Sequence, residues 1–131
     1  MITSNHRQSA LIFKSLCIVA AQLRGLMKFV RDCGFTSEAS DLDAIAAELL
    51  EIAREFKPTG ENDTLLMPRR TRQQNLMISD ALCQVASQLA FNAAVIQPYD
   101  TSAGAKALEA EAAELMKLAR EFMIWQTVPS N

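Results

Sequence analysis

Residues 47–56, AELLEIAREF, return as residues 113–122, AELMKLAREF, with seven of the ten letters identical. The same offset of 66 positions carries LCIVAAQL (16–23) onto LCQVASQL (82–89), six of eight identical, and no gap separates the two matches. A period of this size is the mark of a supersecondary unit that is used more than once. Here the unit is a long helix, a short turn and a second helix, so two copies predict four helices in a chain of 131 residues.

The helical period is explicit in both copies. Ile12, Leu16, Val19, Leu23, Leu26 and Val30 step alternately by four and three. Ile78, Leu82, Val85, Leu89, Asn92 and Ile96 repeat that seam, with Asn92 as its one polar member. Such spacing places one residue per turn on a single helix face. The second helix of each copy carries a different seam. Ala39, Ala46 and Ala53 alternate with Leu42, Leu49 and Phe56; Ala105, Ala112 and Ala119 alternate with Leu108, Leu115 and Phe122. Alanine once per heptad lets two helix backbones approach closely. Within the repeated AREF segments, Ala53 and Phe56 are expected to point inward, and Arg54 and Glu55 outward.

Local chemistry sets the boundaries. Gly34 is expected at the C′ position closing a helix over 5–33. Thr36 or Ser37 would cap a helix over 36–56, with Ser102 as the counterpart of Thr36. Pro98 ends the third helix near Gln97, and residues 58–70 read as a linker. QTVPSN, after Trp125, reads as a loose tail. Turns this short make each copy an antiparallel hairpin. A hairpin alone cannot bury both its faces, so the copies are expected to pack on one another. The predicted fold class is all-α: a four-helix bundle of two tandem hairpins related by pseudo-twofold symmetry. It forms one domain over 1–131, with hairpins at about 5–57 and 71–125.

Half of the residues are hydrophobic, and Gly and Pro number four each, so core and helix length are both available. The net charge of −2 argues against a protein built to coat nucleic acid. Three cysteines, Cys17, Cys33 and Cys83, form no CxxC or zinc spacing, which suits a reducing compartment. The start MITSNHRQSALIF lacks the pattern of a signal peptide. Lys14, Arg24 and Lys28 interrupt the most apolar run, residues 10–30, and Asp80 interrupts the next, residues 73–96. The expectation is a cytoplasmic protein with no membrane partner.

Charge is divided unevenly. The first helix carries Arg7, Lys14, Arg24, Lys28 and Arg31 against Asp32; the second carries six acids against Arg54. The two therefore attract, weakly, at about 0–1 kcal/mol per exposed pair. Residues 73–96 hold only Asp80. The first and third helices carry more apolar residues than a bundle seam needs. Leu11, Ile18 and Phe29 lie off the seam in one, and Met77, Phe91 and Val95 in the other, together with Leu76. Leu11, Ile18, Phe29, Met77, Phe91 and Val95 are the candidate interaction surface, to be covered by a second copy of the chain, another protein or an apolar ligand, with burial inside the monomer as the plainer alternative.

The material for chemistry is thin. His6 is the single histidine and sits at the N-terminal end. No Glu-x-x-His pair, glycine-rich phosphate loop or nucleophile–base set is present, so no cofactor, metal or catalytic residue is expected. Cys17 and Cys83 occupy matching repeat positions and read as small apolar fillers, with a redox pair as the sharper alternative. Gln22 and Gln88 also match and could fix register by bonding between helices. Arg69, Arg70 and Arg72 cluster at a helix N-terminus, where cations oppose the dipole. An anion nearby would relieve them: an acidic helix, a phosphate or nucleic acid, the last disfavoured because no aromatic residue is interleaved. The expected function is a non-catalytic adaptor or regulatory protein, dimeric, acting through protein–protein contact. The alternative is a bundle enclosing an apolar small molecule beside Ala20, Ala86, Ala93 and Asn92.

Overall fold

In the computed structural model, residues 3–57, 64–66, 71–98 and 104–127 are described. They form an all-α protein of four helices: α1 (His6–Asp32), α2 (Thr36–Glu55), α3 (Arg72–Ile96) and α4 (Gly104–Thr127). The chain divides into two compact units, Thr3–Met67 and Pro68–Asn131 with Met1–Ile2. Within the first unit α1 packs on α2, and within the second α3 packs on α4.

The turn of the first hairpin is short, three residues at 33–35. Gly34 adopts φ +95°, the left-handed region that a side chain disfavours. Its N–H donates to the Arg31 carbonyl at 2.9 Å, and the Phe35 N–H donates to the Val30 carbonyl at 3.1 Å. That pair of bonds is a Schellman motif closing α1, with Gly34 at C′ as expected. Phe35 then opens α2 at once, its carbonyl accepting from the Ala39 N–H at 3.0 Å. The N-cap of α2 is therefore Phe35, with no side-chain cap bond, and not Thr36 or Ser37. Phe35 has no hydroxyl to offer; it holds the position because it must also finish α1.

α3 begins differently. Thr71 Oγ1 accepts from the Gln74 N–H, and Gln74 Oε1 accepts from the Thr71 N–H, both at 3.1 Å. This reciprocal capping box satisfies two backbone donors. α3 ends at Ile96 with Gln97 as C-cap, one residue before Pro98, as expected. The Ser102 cap lies outside the described residues. α4 runs through Thr127, so Gln126 and Thr127 belong to the helix and not to a loose tail.

Residues 64–66, read as part of a linker, form β2 (Thr64–Leu66). It pairs antiparallel with β1 (Thr3–Asn5), Ser4 opposite Leu65. Three residues are too few for an alternating pattern to be visible in sequence.

Burial repeats with the sequence. Each described residue that is buried in the first copy has a buried counterpart 66 positions on, from Ser9 and Asn75 to Phe56 and Phe122. The alanine seams hold: Ala39, Ala46, Ala53, Ala105, Ala112 and Ala119 are all buried. Arg54, Glu55 and Arg120 are exposed. In α1 and α3 the seam is right for its first half and then slips by one residue. Leu26 is 49% exposed while Met27 is buried, and Asn92 is exposed while Ala93 is fully buried. A straight helix of 3.6 residues per turn drifts about 20° per heptad against a 3.5 repeat. After two heptads the neighbour at +1 has come round to the inside. Among the described residues the buried polar side chains are Ser9, Ser15, Asn75 and Ser79. Ser79 Oγ donates to the Ala119 carbonyl at 3.1 Å, joining α3 to α4. Phe13 stands at the matching position of α1, so this bond has no counterpart there.

Two outcomes are expected in urea denaturation. Gly34→Ala should lower stability by about 1–2 kcal/mol through the left-handed backbone. Leu16→Ala and Leu82→Ala should each cost about 2–5 kcal/mol, whereas Leu26→Ala should cost under about 1 kcal/mol. A large loss at Leu26 would place the seam back on the heptad register.

Candidate functional site

α1 and α3 each present two apolar faces, one buried and one not. Leu11, Ile18 and Phe29 are spaced by seven and then eleven residues, and eighteen residues make five full turns, so all three share a face. Met77, Phe91 and Val95 share the corresponding face of α3, with Phe91 and Val95 one turn apart. Phe29 is 66% exposed, Phe91 69% and Val95 50%; Leu11, Ile18 and Met77 are half-buried. Half of the expected set is thus open surface, and half is partly covered within the chain.

Other exposed apolar side chains, not in the expected set, are Leu26, Phe35 and Ile45 in the first hairpin and, separately, Met123 and Ile124 in α4. Leu26 was assigned to the seam. Phe35 carried a signal, because a large aromatic beside a predicted C′ glycine lies in a turn, where burial is least available. Leu76, expected off the seam, is exposed.

The two helices of the first hairpin carry opposite charge. Arg24 Nε lies 3.9 Å from Asp43 Oδ1, both side chains about half exposed, an ion pair between α1 and α2. It has the polarity expected from the charge division and contributes little. Arg72 is exposed at the first turn of α3. Arg69 and Arg70 lie outside the described residues, and the capping box supplies what the first turn of α3 needs without them. Gln22 and Gln88 occupy exposed positions beside the half-buried Leu23 and Leu89. Asn92, proposed to line an internal ligand site, is also exposed, although Ala20, Ala86 and Ala93 are buried.

Cys17, Cys33 and Cys83 are free thiols; the two matching ones are half-buried and Cys33 is exposed. Among the described residues no group of three or more His, Cys, Asp or Glu side chains could hold a metal ion. α1 contains a stretch, within Arg7–Asp32, long and apolar enough to cross a membrane by length and composition, despite the charges that argued against it. A core helix passes the same test, and part of this stretch is buried within the chain. No family model, curated protein or solved structure matches the chain.

Titration with a water-soluble disulfide reagent should find one fast thiol and two slower ones. Cys33→Ser should remove the fast phase. Retention of that phase would mean that Cys17 or Cys83 is the accessible group.

Proposed function

We propose that this chain is a non-catalytic helical adaptor or regulatory protein that acts in the cytoplasm through protein–protein contact, as a homodimer. The observation that carries this reading is the exposed apolar side chains of each unit: Phe29 on α1, and Phe91 and Val95 on α3. Those residues stand on helices whose opposite faces already supply a buried seam. An apolar group left in water forgoes about 25 cal/mol per Å² of burial, and large aromatic side chains are the usual anchors of binding surfaces. The sequence also offers little for catalysis, with one His and one Tyr in 131 residues.

In the same reading the two hairpins form one four-helix bundle with pseudo-twofold symmetry. The support is the matched burial of positions 66 apart, which gives both copies the same inward faces. Enclosure of an apolar small molecule is less well supported, because Asn92, its one polar group, lies on the outside.

Light scattering over a concentration series, at low and high salt, tests the proposal. The expected mass is twice the chain's 14.5 kDa. A monomer at the highest concentration would overturn the homodimer.

A further inference from the structure

The Arg24–Asp43 ion pair marks one side of the first hairpin. Leu26 and Ile45 each stand two residues further on, about 200° round their own helices, which puts both on the side away from that pair. Each flanks the seam between the helices. Leu26 lies one turn from the half-buried Leu23 and Val30, and Ile45 one turn from the half-buried Leu42 and the buried Leu49. Yet Leu26 is 49% exposed and Ile45 43%. Every charged side chain of α1 lies at least about 100° round the helix from Leu26. On α2 the carboxylates of Glu38, Asp41 and Glu48 lie within about 60° of Ile45, the first two exposed and the third half-buried. Arg54, the one cation of α2, is about 180° away. This side of the hairpin is therefore an apolar strip across two helices, edged on α2 by negative charge, with no cation of either helix beside it.

We infer that this strip, centred on Leu26 and Ile45, is a docking surface for an amphipathic helix of another protein whose apolar face is edged by lysine or arginine. The inference rests on the adaptor reading, names the chemistry of the partner and does not depend on the homodimer. Two antiparallel helices offer a third helix a seat along their seam. The carboxylates select the charge of that helix. Cations along its edge meet Glu38, Asp41 and Glu48, whereas a nucleic acid, an anionic lipid surface or an acidic helix meets like charge. The second hairpin is an internal comparison. At an offset of 66, Leu26 and Ile45 become Asn92 and Glu111, and Glu38 and Asp41 become Gly104 and Ala107. Both copies keep the same buried positions. Packing of the hairpin therefore does not require an apolar pair with an acidic edge at this place, and only the first copy has one.

The test is fluorescence anisotropy of a labelled synthetic amphipathic Leu/Lys peptide titrated with the full chain, beside a peptide of the same pattern with glutamate in place of lysine. Circular dichroism and melting temperature of each variant serve as the control for folding. The Leu/Lys peptide should bind and the Leu/Glu peptide should not. Ile45→Lys should weaken binding by at least about tenfold, the scale of a central anchor lost from an interface. Leu26→Asn, which installs the residue of the second copy, should weaken it too. Asp41→Lys should weaken it and reduce its sensitivity to salt. Glu109→Lys, the same change of charge at an exposed position of α4, should leave it unchanged. Failure of the Leu/Lys peptide to bind, equal binding of both peptides, or an equal loss from Glu109→Lys would overturn the inference while leaving the adaptor reading standing. Loss of self-association in Ile45→Lys with peptide binding intact would assign the strip to a second copy and overturn it as well.

Discussion

Close approach between the alanine face of one helix and the branched face of another is the contact on which each hairpin depends. Ala39, Ala46 and Ala53 on α2, and Ala105, Ala112 and Ala119 on α4, are almost wholly removed from solvent. A methyl group contributes little area of its own. Its value is the space it leaves for Ile12, Leu16, Val19 and their counterparts to fill. The serines at positions 9 and 15 serve the same end, being small enough for the interior. The larger buried side chains, Phe56 and Phe122, then close the end of each seam away from the turn.

The two copies keep the same positions buried, some with different residues such as Met27 against Ala93 and Ser9 against Asn75, and vary the outside more freely. Every buried position of the first hairpin is buried in the second, yet exposed pairs differ freely: Gly25 against Phe91, Lys14 against Asp80, Leu26 against Asn92. Packing at native density penalises even one methylene gained or lost, while exposed positions tolerate substitution with little cost. The first hairpin has become strongly polarised, with a cationic α1 and an anionic α2. The second is nearly neutral on α3 and joins α3 to α4 through the Ser79–Ala119 hydrogen bond. The same packing problem is thus solved beneath two electrostatic surfaces.

Much of this was legible in the residues. Seam positions in the alanine helices, the C′ role of Gly34 and the stop before Pro98 follow from period and from the conformational limits of Gly and Pro. The slip from Leu26 to Met27 was hidden because both are apolar. The second copy held the clue, since Asn92 beside Ala93 names the outer and inner residue directly. The capping box was also present as Thr71-x-x-Gln74, but the neighbouring arginines drew the reading toward an anion. The β1–β2 pairing left no trace, three residues being below the length at which alternation is visible. The candidate surface was half legible: surplus apolar residues can be counted along a helix, but which of them remain in water depends on how the helices meet.

The reversal between α1 and α2 has no spare residue, because Phe35 is at once the last bonded residue of one helix and the first of the next. The two helices are therefore coupled like gears on one shaft. Lengthening the turn by a residue would separate the bond that closes α1 at Val30 from the bond that opens α2 at Ala39. Length at this point is under stronger constraint than residue identity, and Gly34 is the exception where both are held.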